Sequence, residues 1–230
     1  MKKVIAEIEQ IYNKEIGIGA IKKLIKESGY IWKRIRKSFR SKRDEEKFRK
    51  CEKELEEWKK IAKRGEIELY YFDESGFSLN PTVSYAWQKR GTTIEVPMAK
   101  SVQLNVLGFL SIENKLESFI FSNSISSDVV VECFNIFANS LQKKTLVVLD
   151  NAPIHTSEEF DEWIDTWEQK GLFLYYLPTY SPELNLIENL WRFIKYHWLP
   201  FSAYLSISSL YSSLQFILAN FGSLYRISFN

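Results

Sequence analysis

Apolar residues recur at helical spacing through the first 65 residues of the chain. One such run covers residues 4–12 and a second covers residues 21–25, with Gly17 and Gly19 between them. Two short helices around a glycine turn are typical of part of a helix-turn-helix unit. A third helical run, with apolar residues from Phe48 to Ile61, is predicted to end at Gly65.

The pattern changes at Glu66 to short apolar runs typical of strands. Three such runs follow one another without a helical run between them, at residues 66–73, 102–112 and 115–122. The chain then alternates between a helix at 126–142, a strand at 145–150, a helix capped by Thr156 and Glu159, a strand at 172–178 and a helix from Pro182 to about Trp198. Three strands in a meander followed by αβαβα predict an α/β fold, a mixed sheet with helices packed on its faces.

The C-terminal segment is apolar but is not predicted to cross a membrane. No charged residue occurs from Pro200 to Tyr225, yet serine and glutamine interrupt the segment too often for a membrane span. We predict a packed amphipathic helix there. The first ten residues carry charges that argue against a signal peptide, and Cys51 and Cys133 lack the spacing of a zinc site or a disulfide framework. We therefore expect a protein of the reducing cytoplasm.

Charge is distributed unevenly along the chain. Residues 1–66 contain 21 basic and 12 acidic residues and the remainder contains 10 and 17, so the two parts carry net charges of +9 and −7. A basic front suits the neutralisation of DNA phosphates, and a solvated basic helix pair or linker is the alternative. We predict DNA contacts for the basic residues of an arm at positions 31–43, namely Lys33, Arg34, Arg36, Lys37, Arg40, Lys42 and Arg43. An aromatic-basic turn between the first two strands adds Trp87, Lys89 and Arg90.

Two aspartates stand where predicted strands emerge from the sheet. Asp73 follows Leu69 and Tyr71 on one strand face, and Asp150 ends a strand so apolar that both of its faces must be buried. Because the carboxyl ends of neighbouring strands meet, the two carboxylates can converge although 76 residues separate them. Taken singly, each aspartate is also explained as the cap of a following loop or helix.

A third carboxylate lies on the last predicted helix of the domain. The apolar stripe of this helix includes Leu184 and Trp191, and Glu188 lies on the edge of the stripe. A carboxylate pressed towards the core must find a cation, a donor or a proton. Glu183 is the rival acid, but Ser181 is expected to cap the helix and to place Glu183 in the first turn, where the helix dipole explains it.

Three acids from separate elements suit a pair of Mg²⁺ ions, for which Mn²⁺ can substitute. Mg²⁺ takes oxygen ligands and usually keeps several waters. Two ions roughly 3.5–4 Å apart can stabilise both the attacking and the leaving oxygen of an in-line phosphoryl displacement. We therefore predict that Asp73, Asp150 and Glu188 are the metal ligands and catalytic residues of an enzyme that cleaves phosphodiesters.

The segments around these acids resemble the three signature blocks of mariner-like DDE transposases, particularly those of prokaryotic insertion sequences. The blocks are FDESGF at residues 72–77, LDNAPIH at 149–155 and YSPELNLIENLWRFIK at 180–195. The 37 residues between Asp150 and Glu188 are close to the short second interval of that superfamily. The predicted element order is that of the RNase H-like fold, and the resemblance extends from about Ile18 to the end of the chain.

This resemblance implies the activity, the partners and the supporting residues. Asp73, Asp150 and Glu188 would be the catalytic triad of a transposase that recognises terminal inverted repeats, moves DNA by cut and paste and inserts it at TA, with two copies of the chain in the synaptic complex. Asn151 and His155 match the second block, so Asn151 could orient Asp150 and His155 could contact a phosphate or a water. Lys195, about two helical turns after Glu188, could meet a DNA phosphate.

These interpretations divide the chain into four parts. They are a partial helix-turn-helix with a basic arm at 1–43, a linker helix at 44–65, an RNase H-like DDE catalytic domain at 66–199 and a helical tail at 200–230. Two alternatives stay open. One is an inactive transposase remnant that only binds DNA. It stays open because the family normally carries two helix-turn-helix units, whereas only part of one is predicted here, so an upstream reading frame would have to encode the missing one. An RNase H-like nuclease would use the same acids on RNA–DNA hybrids or junctions.

Overall fold

The computed structural model describes residues 2–13, 15, 17–31, 42–82, 89–91, 93, 95 and 103–229. Backbone contacts divide the chain into two compact units, Met1–Phe39 and Arg40–Asn230. Several residues predicted to bind DNA lie outside the described residues, namely Lys33, Arg34, Arg36, Lys37, Arg40 and Trp87.

The first unit contains two short helices, α1 (Lys2–Tyr12) and α2 (Ile18–Glu27). They correspond to the two predicted helical runs on either side of the glycine turn. Ile21 of α2 is buried, whereas Ile11 and Leu24 are exposed. Part of the apolar surface of this helix pair is therefore uncovered.

The linker helix α3 (Glu45–Lys63) is the first helix of the second unit among the described residues. Asp44 caps it, because its carboxylate accepts hydrogen bonds from the backbone N–H groups of Glu46 and Lys47 at 3.1 Å. The helix ends before Gly65, whose φ of 77° is the left-handed conformation that glycine adopts without strain. This end agrees with the predicted one.

A five-stranded mixed sheet forms the centre of the second unit, in the order β3-β2-β1-β4-β5. The strands β1 (Glu68–Ser78), β2 (Gln103–Ser111) and β3 (Leu116–Phe121) pair in an antiparallel meander. The strands β4 (Thr145–Leu149) and β5 (Leu172–Tyr176) continue the sheet in parallel with β1. The predicted α/β fold with a meander ahead of alternating elements is confirmed. β1 runs past Asp73 to Ser78, further than predicted, because β2 pairs with it up to that residue.

One face of the sheet is covered by α4 (Ser127–Ser140), α5 (Glu158–Asp161) and α6 (Ile164–Gln169). The buried cluster on this face includes Phe72 of β1 and Trp167 of α6. Alternate residues of β1 enter this layer, as expected for a strand buried on both faces.

The opposite face is covered by α3, α7 (Ile187–Phe193) and the C-terminal helix α8 (Ile207–Ala219). Tyr71 and Trp191 belong to the buried cluster on this side. The C-terminal segment thus packs on the sheet, as predicted. Across the part of the chain that the structure describes, no helix has the length and apolar character needed to cross a membrane.

The last helix of the predicted domain is not continuous. Pro182–Leu184 forms a 3₁₀ turn without a side-chain cap from Ser181, α7 starts at Ile187, and a π-helical segment follows at Ile194–Trp198. The predicted start of this helix at Pro182 is wrong because Asn185 is extended and donates its amide to the Phe72 carbonyl at 2.9 Å, whereas the predicted end at Trp198 is confirmed. This tertiary bond competes with a helical path.

The cap ahead of α5 is also shifted from its predicted place. Pro153–Thr156 forms a 3₁₀ turn, and Ser157 accepts the hydrogen bond from the backbone N–H of Phe160. The predicted capping role of Thr156 is wrong, since its hydroxyl donates to the Ala152 carbonyl within the preceding turn.

Candidate active site

The strand register brings Asp73 and Asp150 to one level of the sheet. The last parallel pair of β1 and β4 joins Tyr71 to Val148. Continued by two residues, this register sets Asp73 beside Asp150 on strands about 4.8 Å apart. Tyr71 and Val148 both belong to the cluster under α7, so side-chain alternation directs the two aspartates towards that helix.

Glu188 approaches the same place from α7. Buried Ile187, Leu190 and Trp191 dock this helix on the sheet, while Glu188 keeps an exposed position at its edge. Withdrawal from water raises the pKa of Asp73 well above its usual range, and the charges of Glu188, Glu74 and Asp150 raise it further. Desolvation by the surrounding protein raises the pKa of Glu188. The charge of Lys195 opposes this effect, and the charge of Asp150 adds to it.

The structure thus brings the three predicted acids within electrostatic range of one another. They do not form a closed ligand shell. Within the described ranges, no group of three or more His, Cys, Asp or Glu side chains is already arranged to hold a metal ion.

His155 links Asp150 to a fourth acid, Glu74. Its fully buried imidazole donates from Nδ1 to Oδ1 of Asp150 at 2.9 Å and from Nε2 to Oε1 of Glu74 at 3.1 Å. Burial alone would lower the pKa of His155, but the hydrogen bonds and charges of the two acids outweigh it and raise the pKa to about 10. His155 is therefore an imidazolium at neutral pH.

Glu74 was not among the site residues predicted from the sequence. It follows Asp73 in β1, so strand alternation assigns it to the opposite face, away from the predicted site. Its position directly after Asp73 in the FDESGF block was the one available signal. The contact with His155 crosses 81 residues of sequence, which local patterns do not encode.

Two predicted supporting roles are corrected. His155 does not face a phosphate or a water, because both ring nitrogens are engaged and Phe72 and Phe160 lie against the ring. Asn151 does not orient the Asp150 carboxylate, because its amide donates to the Leu177 carbonyl at 2.6 Å.

Two other donors orient Asp150. His155 and the backbone N–H of Ala152 both donate to its Oδ1. The hydrogen bond from His155 is the largest cause that lowers the pKa of Asp150. Asp150 is therefore held as an ionised carboxylate.

Lys195 lies beside the acids, as its spacing from Glu188 predicted. Its Nζ is 5.0 Å from the centroid of the Phe77 ring. Burial lowers the pKa of Lys195, and the charges of Glu188 and Asp73 oppose that effect. Lys195 therefore contributes positive charge to the site itself.

Arg43 is used inside the fold, in contrast to its predicted contact with DNA. Its guanidinium pairs with Glu45 at 2.6 Å and with Glu183 at 3.6 Å, it lies 3.7 Å from the centroid of the Phe48 ring, and the side chain is only 6% exposed. We therefore remove Arg43 from the predicted DNA-binding residues. Glu183, the rival acid, is the partner of this arginine.

The other described residues of the predicted DNA-binding set lie at the surface. Lys42 extends over the ring of Tyr180, with its Nζ 5.9 Å from the ring centroid. Lys89 and Arg90 are exposed at a turn completed by Gly91. The contact of Lys42, Lys89 and Arg90 with DNA therefore stays a prediction.

Comparison with known proteins identifies relatives of this chain. It is 27% identical over 191 residues to the insertion element IS630 uncharacterized 39 kDa protein of Shigella sonnei, an alignment that covers 81% of this chain and 54% of that protein. The chain thus spans about half the length of the curated relative. Among solved structures, the Mos1 transposase paired-end complex with left transposon end is similar at a TM-score of 0.61 and 17% identity, over 95% of this chain and 71% of that one.

A second Mos1 structure, the mariner paired end complex with Mn, is similar at a TM-score of 0.61 and 17% identity, over 92% of this chain and 65% of that one. These likenesses confirm the predicted RNase H-like fold. The family model described as DDE superfamily endonuclease matches residues 68–211, which include all three acids, the five strands and the helices α4 to α7. The chain therefore belongs to the DDE superfamily endonucleases.

Proposed function

We propose that this chain is the catalytic part of a DNA transposase, in which Asp73, Asp150 and Glu188 hold two divalent metal ions. The observation that carries the proposal is the strand register, which sets the two aspartates at one level on the face where α7 supplies Glu188. The insertion-element relative and the likeness to Mos1 complexes support transposition as the reaction class.

The donor set fits Mg²⁺ or Mn²⁺. Carboxylates that raise one another's pKa are stabilised by a shared cation, and hard divalent cations take oxygen ligands. The similar Mos1 paired end complexes contain Mn or Mg. When bound, two such ions would supply the positive charge that stabilises the attacking and leaving oxygens of a phosphoryl displacement.

The protein's own groups prepare the site. Among the described residues, both donors to Asp150 reach Oδ1, so Oδ2 is left for a metal ligand bond. Trp191 donates to Oδ2 of Asp73 at 3.0 Å, and Lys195 offsets part of the negative charge. The attacking oxygen would belong to a water or to a DNA 3′-hydroxyl, so the reaction needs no covalent enzyme intermediate.

The proposed substrates are the terminal inverted repeats of a transposon and a target DNA, with TA as the insertion site. The basic arm before α3, together with Lys42, Trp87, Lys89, Arg90 and Lys195, would contact DNA through phosphates and stacking. By similarity to the Mos1 paired-end complexes, two copies of the chain would hold two transposon ends.

A comparison of two acids in one segment tests the proposal. Cleavage of a supercoiled plasmid that carries the element's own terminal repeats would be measured with Mg²⁺. We expect Glu188→Gln to reduce the rate by at least about 100-fold, because a metal ligand is lost, and to leave DNA binding in a mobility-shift assay unchanged. Glu183→Gln should keep nearly the wild-type rate, because Glu183 pairs with Arg43.

Other outcomes would point to the alternative functions. Plasmid cleavage by Asp150→Asn at the wild-type rate would contradict the proposed site. A wild-type protein that binds the repeats without cutting them in Mg²⁺ or Mn²⁺ would be an inactive remnant. Cutting confined to RNA–DNA hybrids would indicate a nuclease.

A further inference from the structure

We propose that Trp191 is a positioning residue, whose indole N–H fixes the Asp73 carboxylate for metal binding and whose fit depends on Gly108. From the sequence, Trp191 was predicted only as part of the apolar stripe of the last helix. The inference rests on the proposed function, because it concerns the metal ligands of that site.

The hydrogen bond joins two of the elements that build the site. Trp191 is 2% exposed, and its Nε1 donates to Oδ2 of Asp73 at 3.0 Å across 118 residues of sequence. An indole N–H is a donor only, so it selects an orientation in which Oδ2 is an acceptor. Because the indole is almost fully buried and Asp73 is partly buried, replacing this bond with one to water carries a cost.

Gly108 determines how closely the indole can approach the sheet. It is paired with Asp73 across β1 and β2, so it lies directly beside the acid. A Cβ atom at position 108 would lie 2.9 Å from Cη2 of Trp191 and 3.1 Å from Cδ1 of Ile187. A side chain there would push the indole and the first turn of α7 away from β1.

The same bond positions the third acid. Glu188 and Trp191 are three residues apart on α7, so the indole that contacts Asp73 also ties the helix that carries Glu188 to the strand. Loss of the N–H group would therefore loosen both the orientation of Asp73 and the spacing between two proposed ligands. Groups that orient metal ligands typically contribute 10–100-fold to metal affinity.

The chain supplies a matched control for this bond. Trp167 is also fully buried, on the opposite face of the sheet, and its Nε1 donates to Oδ1 of Asn135 at 2.8 Å. Trp167→Phe and Trp191→Phe each remove one buried indole N–H and keep an aromatic ring. Both variants should lower the midpoint of urea unfolding, and only one of them should affect metal binding.

The test measures Mn²⁺ affinity by isothermal titration calorimetry on the full chain without DNA. We expect Trp191→Phe to weaken binding by about 10–100-fold and Trp167→Phe to leave it unchanged. Gly108→Ala should weaken binding in the same direction as Trp191→Phe. In the ¹⁵N-indole NMR spectrum, the Trp191 resonance, assigned by its loss in Trp191→Phe, should move when Mg²⁺ is added.

The outcomes separate this inference from the proposed function. Wild-type Mn²⁺ affinity in Trp191→Phe, an equal loss in both tryptophan variants, or a Trp191 resonance insensitive to Mg²⁺ would overturn the positioning role. Glu188-dependent cleavage would still stand in each of these cases. A wild-type chain that binds no Mn²⁺ would overturn this inference and the proposed metal site together.

Discussion

At the scale of single residues, the two aspartates of the site are held in different electrostatic environments. Asp150 accepts hydrogen bonds from the His155 imidazolium and from Ala152, which lowers its pKa. Asp73 is withdrawn from water close to Glu188 and Glu74, which raises its pKa. Both aspartates stand at the same level of neighbouring strands, so the difference comes from the neighbours that each acquires in the fold.

His155→Phe tests the link between Glu74 and Asp150. The change keeps an aromatic ring beside Phe72 and removes both donors from two carboxylates. The side chains of Glu74 and Asp150 are 24% and 51% exposed, so both can recover part of their hydration. We expect a loss of about 1–3 kcal/mol in the free energy of unfolding, measured by urea denaturation.

The second histidine of the chain is the control for that substitution. His197 is exposed and contacts the ring of Phe193. His197→Phe should change the free energy of unfolding by less than about 0.5 kcal/mol. If His155→Phe changes the free energy of unfolding as little as His197→Phe does, the buried pairing with Glu74 and Asp150 contributes nothing to stability.

At the scale of elements, two similar ion pairs at the two ends of the linker helix α3 lie in different environments, one enclosed and one exposed. Arg43 stands before the helix and Arg64 stands after it, and each pairs with a glutamate two residues further on. Arg43 is enclosed against Phe48 and also contacts Glu183, in the turn that leads to α7. Arg64 is a surface residue, with 58% of its side chain exposed.

Arg43→Ala should therefore destabilise the protein more than Arg64→Ala. We expect a loss of about 1–2 kcal/mol for Arg43→Ala, because the buried stem, the stacking and two ion pairs are removed. Arg64→Ala should have a much smaller effect, since exposed ion pairs contribute little. Chemical denaturation of both variants measures the difference, and a larger loss at Arg64 would contradict the role assigned to Arg43.

At the scale of the whole molecule, the chain separates a basic unit from a unit that holds the acids. The unit Arg40–Asn230 contains the sheet, both apolar layers and the three proposed metal ligands. In the unit Met1–Phe39, Ile21 is the only buried residue among those that the structure describes. We therefore expect the larger unit to fold without the smaller one.

A fragment of residues 40–230 tests this division. It should unfold in one cooperative transition and keep Mn²⁺ affinity, because the site lies within it. Its affinity for DNA should depend less on salt, since Lys33, Arg34, Arg36 and Lys37 are removed. The slope of log K against log salt should fall by up to roughly 3–4, at about 0.9 per lost phosphate contact. An unchanged slope would place the DNA contacts elsewhere, and an unfolded fragment would contradict the division.

Local patterns in the sequence predicted most of the elements and led to the proposal of the three acids. The period-two run before Asp73 and the continuous apolar run before Asp150 predicted β1 and β4, and the blocks around the acids indicated the family that comparison confirmed. Such features are local, because strand alternation, helical spacing and family blocks each span a few consecutive residues. The choice of Glu188 over Glu183 also followed from spacing, and the catalytic role of Glu188 is still a prediction.

Only the tertiary structure decided which distant groups contact the acids and their neighbours. Glu74 lies 81 residues from its partner His155 and Asp73 lies 118 residues from its partner Trp191, and the break at Asn185 depends on the carbonyl of Phe72. Arg43 is indistinguishable in sequence from the rest of a basic arm until α3 docks and encloses it beside Phe48. Strand register and helix docking determine these contacts, because hydrogen bonds between distant elements form only where packing brings a donor to an acceptor.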